Sequence, residues 1–161
     1  DMEVSRLRYF EVLRPWIPKD GPLHMLDIGG GNGELASYIL QMKDLSIGRR
    51  VHVVLLEDNP DLAAQAQARF SKVLEDQGID GLAEVIPCGS CPWPCNSNDF
   101  DVVLLAFVLH HVEGGEAGRK ELMLEAARVL RRQRMRAAEP ARILVLEDAP
   151  DQAPEGSARD L

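Results

Sequence analysis

Apolar residues along the chain fall into two patterns, short continuous runs and longer segments in which they recur every three or four residues. Continuous apolar runs are typical of strands that are buried on both faces of a sheet. They predict strands at residues 24–28, 51–56, 83–87, 100–109 and 143–146. The helical spacing predicts helices at residues 2–16, 34–42, 59–78 and 117–134.

Helices that alternate with strands predict an α/β fold, in which a doubly wound, Rossmann-like and mostly parallel sheet carries helices on both faces. The length of 161 residues and the apolar content of 45% suit a single domain. We expect an N-terminal helix within residues 1–19, a core over 20–148 and a polar tail over 149–161. In such a sheet, ligands bind at the carboxyl ends of the strands, where the strand order reverses.

The stretch with the most specific chemistry is residues 25–36, an apolar strand that runs into glycines and then into a helix. Glycines there permit a tight turn and let a ligand approach the backbone N–H groups. Residues 31–36 fit the G-x-G-x-x-G/A pattern of dinucleotide-binding proteins. Asp27 argues against a dinucleotide, because a carboxylate beside the loop repels a pyrophosphate and attracts a cationic ligand.

Asp27-Ile28-Gly29-Gly30-Gly31-Asn32-Gly33 resembles the first motif of class I S-adenosylmethionine-dependent methyltransferases, acid-apolar-Gly-x-Gly-x-Gly. Further segments resemble this family in the family's order: Glu57 with Asp58-Asn59-Pro60, residues 98–103, and Val108-Leu109-His110-His111-Val112. The resemblance covers roughly residues 20–148. It implies an enzyme whose cofactor is S-adenosylmethionine, a sulfonium compound with a free amino group that Asp27 would attract.

The resemblance also implies a set of cofactor-binding residues. They are Asp27, Gly29, Gly30, Gly31, Gly33, Glu57, Asp58, Ser90, Cys91 and Ala106. In the family, the acid at Glu57 accepts hydrogen bonds from both ribose hydroxyls, and Asp58 is the alternative for this role. Ser90 stands where the family usually has an acid that bonds the adenine amino group, and a neutral hydroxyl makes a weaker contact there.

His110 and His111 are the candidate catalytic residues, because an imidazole titrates near neutral pH and accepts a proton from a substrate hydroxyl. The alternative is that both only line the pocket, since positioning alone can suffice for displacement on an activated sulfonium. After the fourth strand, Ala106-Phe107-Val108-Leu109 replaces the Asn/Asp-Pro-Pro-Tyr/Phe motif that holds planar amino groups. We therefore predict methyl transfer to a small-molecule or lipid-like acceptor.

Three other functions compete with this prediction. A non-catalytic binding or scaffold subunit is favoured by the replaced adenine acid, and an RNA or protein methyltransferase remains an alternative within the family. A nicotinamide-dependent oxidoreductase would require a pyrophosphate to be tolerated beside Asp27.

Residues 88–98 combine cysteines, prolines and a tryptophan and predict an irregular loop. Cys88, Cys91 and Cys95 have a spacing that zinc sites use, but the segment supplies no fourth ligand. We interpret them as free thiols near the adenine pocket and predict no metal. Trp93 either stacks on adenine or anchors the loop to the core.

The formal net charge of −8 argues against a nucleic-acid partner held by bulk electrostatics. No apolar run approaches the roughly 20 residues that cross a bilayer, and no signal-peptide pattern begins the sequence. We expect a cytoplasmic protein without a membrane partner. A basic run is interpreted as cations near a helix C-terminus, the alternative being an RNA or anionic-substrate contact; its members are Arg128, Arg131, Arg132, Arg134, Arg136 and Arg142.

Sheets of the resembling family continue with an antiparallel strand pair after the fifth strand, which this sequence lacks. The strand at residues 143–146 would then be an exposed apolar edge, which native proteins normally cover. We expect the chain to be part of a longer protein, with a missing C-terminal segment or a second copy in a homodimer covering this edge.

Overall fold

The computed structural model of the chain describes residues 11–46, 48–132 and 140–147. Most of the predicted N-terminal helix lies outside these ranges, which include only helical residues 11–13 and the 3-10 turn Arg14–Trp16. Part of the arginine-rich segment, residues 133–139, and the predicted tail also lie outside them.

Five parallel strands form the sheet, in the order β3-β2-β1-β4-β5. They are β1 (Leu23–Ile28), β2 (Val51–Leu56), β3 (Gly81–Ile86), β4 (Val102–Ala106) and β5 (Arg142–Leu146). The strand order reverses between β1 and β4, so the crevice for a ligand lies at their carboxyl ends. The predicted α/β fold is confirmed.

Helices cover both faces of this sheet. They are α1 (Glu34–Gln41), α2 (Lys43–Ser46), α3 (Pro60–Gln77) and α4 (Gly115–Val129). Side chains of α1, α2 and α3 pack on one face, and those of α4 and Trp93 pack on the other. Among these described helices, none has the length and apolar content to cross a bilayer.

The bounds of α3 agree with the prediction because both of its ends carry strong local signals. The Asn59 side chain accepts hydrogen bonds from the backbone N–H groups of Asp61 and Leu62, and Pro60 occupies the first turn. Gly78, with φ +59°, closes the other end in the left-handed conformation that glycine adopts readily.

The predicted end of α4 is wrong. The helix ends at Val129 rather than at residue 134, because Leu130 pairs with Phe100 in an isolated parallel bridge and Arg131 donates its backbone N–H to the Phe100 carbonyl. Leu124 on the outer side of this helix is 63% exposed. Residues on the buried side are Leu122, Glu125, Ala126 and Val129.

The predicted strand at residues 100–109 is too long. β4 ends at Ala106, and Phe107 takes a left-handed conformation with φ +58° that turns the chain away from the sheet. A 3-10 turn, Leu109–His111, follows. Both histidines therefore lie on a turn beyond the strand rather than at its end.

Asp101 links the start of β4 to its surroundings. Its fully buried carboxylate accepts hydrogen bonds from the backbone N–H of His24 at 2.9 Å and from Arg131 Nη1 at 2.9 Å. Its backbone N–H donates to the His24 carbonyl, and its carbonyl accepts from Arg142 N. One residue thus ties β1, β5 and the chain after α4 to β4.

The strand β5 lies at one edge of the sheet and, within the described residues, pairs only with β4. Val145 on this strand is exposed. The segment or copy that would cover this edge stays a prediction.

We expect Asp101→Ala to lower the free energy of unfolding by about 3 kcal/mol, because it leaves a buried N–H and the Arg131 guanidinium without their carboxylate. Urea unfolding followed by circular dichroism measures the change. The matched control is Asp44→Ala, which removes a largely exposed ion pair with Arg14 and should cost less than about 1 kcal/mol. Equal losses in the two variants would contradict the structural role of Asp101.

Candidate functional site

A cavity of about 800 Å³ opens at the carboxyl ends of the central strands. Its walls come from the glycine loop after β1, the turn after β2, the loop after β3 and the turn after β4. The size and the place are those of a small-molecule or cofactor site in an open α/β sheet.

The structure brings most of the predicted site residues together on this cavity wall. The predicted residues that line it are Asp27, Gly29, Gly30, Gly31, Glu57, Asp58, Ser90, Cys91, Ala106 and His111. Gly33 and His110 are not part of the wall. The binding and catalytic roles of all these residues stay predictions.

Gly33 lies behind the loop, at the start of α1. A Cβ built on Gly33 would lie 3.0 Å from Ala66 Cβ and 3.3 Å from Phe70 Cε1, both on α3. Its φ of +74° also favours glycine. Gly33 therefore lets α1 and α3 approach closely, and its role in cofactor binding stays a prediction.

Asp27 is the most unusual group in the cavity. It lies near the end of β1, is only 1% exposed, and neither of its carboxylate oxygens has a hydrogen-bond partner among the described residues. Burial, with a further contribution from the nearby Glu57 carboxylate, raises the pKa of Asp27 to about 7. A buried carboxyl without a partner is costly, and this one faces a cavity in which a ligand can supply the missing partner.

The glycine loop closes directly over this carboxyl. A Cβ on Gly30 would lie 2.7 Å from Asp27 Oδ2 and 2.6 Å from Leu55 Cδ1. Only a residue without a side chain fits between the two. The second glycine of the run is therefore required by the acid beneath it.

Glu57 is held in place by the backbone on both sides. Its Oε2 accepts a hydrogen bond from Gly31 N at 2.9 Å, and its Oε1 accepts one from Asn59 N at 2.9 Å. The residue is 7% exposed, whereas Asp58 is exposed at the cavity rim. Each carboxylate oxygen has further acceptor capacity, so Glu57 is oriented in advance to bind two donors from a ligand.

Trp93 anchors the loop over residues 88–98. It is buried among Leu105, Phe100 and residues of α4, and its backbone N–H donates to Glu125 Oε1 at 2.8 Å. The indole also forms part of the cavity wall. The anchoring interpretation agrees with this burial, and a contact with a ligand ring stays a prediction.

The three cysteines in this loop are partly buried free thiols. Burial raises the pKa of Cys91 and raises that of Cys95 to about 11, so both remain protonated near neutral pH. Among residues 11–46, 48–132 and 140–147, no three His, Cys, Asp or Glu side chains are grouped to hold a metal ion.

His110 faces Glu147 rather than the cavity. Its Nδ1 lies 2.8 Å from Glu147 Oε2, and Leu109 N donates to Glu147 Oε1. Burial opposes ionisation of Glu147, but these hydrogen bonds outweigh it and hold its pKa below the usual range. Glu147 does not line the cavity, but it holds the turn that carries both histidines, and its position directly after a parallel strand was the available signal in the sequence.

His111 is the histidine that borders the cavity. Its ring centroid lies 4.0 Å from that of His110, with the planes tilted by 47°. The Glu147–His110 pair therefore supports the ring next to it.

Acidic and apolar side chains dominate the cavity wall. The acids are Asp27, Glu34, Glu57, Asp58, Glu113 and Glu121, and the apolar residues include Leu35, Leu62, Val108, Val112 and Leu122. No lysine or arginine of the described chain lines it. This charge distribution favours a neutral or cationic ligand over an anionic one.

Arginines of the basic run bind groups of this chain. Arg128 pairs with Glu125, Arg131 with Asp101, and Arg142 donates to the Trp16 carbonyl. Arg134 and Arg136 lie outside the described residues. Arg128, Arg131 and Arg142 hold neighbouring segments together through these bonds. Such contacts are more specific than the predicted interaction with the end of α4.

Relatives of known class match the chain at low identity. The C-methyltransferase UbiE of ubiquinone and menaquinone biosynthesis from Allorhizobium ampelinum is 27% identical over 136 residues, 84% of this chain and 45% of the relative. The protein of the same name from a Shewanella strain is 25% identical over 100 residues, 62% of this chain and 37% of the relative. The chain thus spans less than half the length of these curated relatives.

A solved structure of an S-adenosylmethionine-dependent methyltransferase from Aquifex aeolicus has the same fold. It superposes with a TM-score of 0.61 at 17% identity, covering 90% of this chain and 68% of that one. The family described as methyltransferase domain matches residues 26–134. This match covers more than half of the sequence and confirms the predicted relationship: the chain belongs to the methyltransferase domain family, within the class I S-adenosylmethionine-dependent methyltransferases.

Proposed function

We propose that this chain binds S-adenosylmethionine in the cavity and transfers its methyl group to a small-molecule or lipid-like acceptor. The observation that carries the proposal is Asp27, a buried carboxyl that faces the cavity and has no hydrogen-bond partner among the described residues. A cationic ligand would supply that partner and relieve the repulsion between Asp27 and Glu57.

The order of strands suggests how the cofactor lies. Asp27 is the next-to-last residue of β1, Glu57 follows β2, and Ser90 and Cys91 follow β3, which are three neighbouring strands. The amino and sulfonium end would lie near Asp27, the ribose hydroxyls would donate to Glu57, and adenine would contact the loop after β3. Gly31 contributes a site where no neighbouring atom lies within 4 Å of an added Cβ, which leaves room for a ligand.

When bound, S-adenosylmethionine would supply a methyl group on a positively charged sulfur, and a nucleophile that attacks the methyl carbon in line would displace the sulfur. The chain would contribute positioning of the two reactants and exclusion of water by the apolar residues Val108, Val112 and Leu122. His111 is the candidate base for an acceptor that must lose a proton, because it borders the cavity. His110 would act through His111, because their ring centroids lie 4.0 Å apart.

The acceptor class is supported by the composition of the wall. Without lysine or arginine among the described lining residues, the cavity offers no cation to bind a phosphate backbone. The apolar residues beside the turn after β4 suit a ring or an alkyl group. The curated relatives are named for C-methylation in ubiquinone and menaquinone biosynthesis, which is consistent with a lipid-like acceptor.

Asp27→Asn should weaken the binding of S-adenosylhomocysteine, whose amino group is cationic, by about tenfold at pH 8. Ionised Asp27 attracts that amino group more strongly than the protonated carboxyl does, so the affinity of the unchanged protein should fall as the pH drops below 7 and level off about tenfold lower. Isothermal calorimetry between pH 5.5 and 8.5 measures both effects. The slope below pH 7 should disappear in Asp27→Asn.

Two control variants separate Asp27 from other acids and bases. Asp76→Asn removes an exposed charge from α3 and should leave affinity within about twofold. His111→Gln removes an imidazole from the cavity wall and should retain the pH slope. An absence of binding by the unchanged protein would reject the proposed cofactor.

Asp27→Asn should also stabilise the ligand-free protein at pH 8, by up to about 4 kcal/mol. The pKa of Asp27 in the folded chain, about 7, lies above the ordinary value of 3.8. The group therefore favours folding most below pH 3.8, and this contribution is lost as the pH rises through 7. Thermal unfolding should show the two proteins converging near pH 4. A variant less stable than the unchanged protein at pH 8 would show that the carboxyl has a partner.

Radiolabelled methyl groups should enter a small-molecule fraction. The protein and S-adenosylmethionine carrying a labelled methyl group are incubated in two separate reactions, one with a bacterial lipid extract and one with total RNA. We expect label in the organic phase of the reaction with the lipid extract, because the wall is apolar and acidic. The amount of label should be at least about tenfold above that with the Asp27→Asn control. Label confined to RNA would contradict the acceptor class and leave the cofactor proposal intact.

A further inference from the structure

The loop over residues 88–98 has no helix or strand of its own, yet it forms one side of the cavity. Cys88, Gly89, Ser90, Cys91 and Trp93 all contribute to the wall. A wall made of irregular backbone keeps its shape only if other elements bind its polar groups. Among the described residues, a pair of side chains on α4 binds the wall residue Trp93 and the loop residues Cys95 and Ser97 that follow it.

Glu125 and Arg128 form that pair, three residues apart on α4. Arg128 Nε and Nη2 donate to the two carboxylate oxygens of Glu125, at 2.8 and 2.6 Å. This two-bond arrangement fixes both side chains in one plane. Glu125 is buried, and the hydrogen bond from Arg128 holds the pKa of its carboxyl below the usual range.

The pair binds both backbone polar groups of Trp93, the N–H and the carbonyl. Glu125 Oε1 accepts from Trp93 N at 2.8 Å, and Arg128 Nη2 donates to the Trp93 carbonyl at 3.3 Å. Arg128 Nη1 donates to the Cys95 carbonyl and to Ser97 Oγ, at 2.9 and 3.1 Å. The guanidinium thus uses all three of its nitrogens within the chain.

The end of α4 extends the same attachment. The carbonyl of Arg128 accepts from Asn98 N, and that of Val129 accepts from Asp99 N and Phe100 N. The loop therefore follows α4 from Trp93 to the start of β4. A displacement of the Glu125–Arg128 pair would move the wall of the cavity without changing any residue that lines it.

We infer that Glu125 and Arg128 are positioning residues for base recognition: they hold the loop after β3 so that it reads the adenine ring of the cofactor. This inference rests on the proposed function, in which adenine contacts the loop after β3. Neither residue lines the cavity, so their effect on the ligand passes through Trp93 and the backbone around it.

The test compares two ligands that differ only in the base, S-adenosylhomocysteine and S-inosylhomocysteine, in which hypoxanthine replaces adenine. Calorimetry gives both dissociation constants for each protein. The unchanged protein should prefer the adenine ligand by at least about fivefold, because hypoxanthine has lost the exocyclic amino donor. Arg128→Met should reduce this preference to about twofold, and Arg128→Lys, which keeps the charge but loses the planar fork, should fall between.

Arg119→Met is the matched control, since Arg119 is an exposed arginine on the same helix. It should keep the preference of the unchanged protein. Equal weakening of both ligands by Arg128→Met would overturn the inference, because it would indicate a general loss of structure. An unchanged protein that does not distinguish the bases would overturn it as well. If the unchanged protein binds neither ligand, the proposed function fails and the inference fails with it.

Discussion

The unpartnered carboxyl of Asp27 is the constraint on which the site depends. The fold keeps this group away from water at the end of β1, beside a second acid, Glu57, at the end of β2. An ionised carboxyl in this environment opposes folding, and a cationic ligand would offset that cost. The neighbouring features follow from this requirement: the loop above Asp27 has to be glycine at position 30, and Glu57 has to be fixed by Gly31 and Asn59.

Features that depend on a few adjacent residues were predictable from the sequence. The acid before the glycines, the two caps of α3 and the buried strands all follow from local chemistry or local periodicity, and the structure contains each of them. The parallel sheet follows from the alternation of strands and helices, since right-handed crossovers leave few arrangements. The cavity at the strand ends is a consequence of that topology.

Features that depend on contacts between distant residues were not predictable. The apolar pattern that suggested a longer α4 continues past Val129, but the bridge between Leu130 and Phe100 competes successfully with the helix. The run after β4 was continuous in hydrophobicity, and only the backbone turn at Phe107 separates its histidines from the strand. The arginines near α4 were interpreted as charges at a helix end because the loop they bind is more than 30 residues away in sequence.

The close approach of Gly33 to Ala66 has a consequence for how this protein can vary. A Cβ on Gly33 would lie 3.0 Å from Ala66 Cβ, so α1 and α3 are in close contact there, and the hydrogen bond from Gly31 N to Glu57 joins the glycine loop to the turn after β2. A substitution that enlarges residue 66 on α3 would displace the glycine loop before it weakened the core. Ala66 therefore contributes to the geometry of the site, although it lies on a helix whose outer side faces solvent.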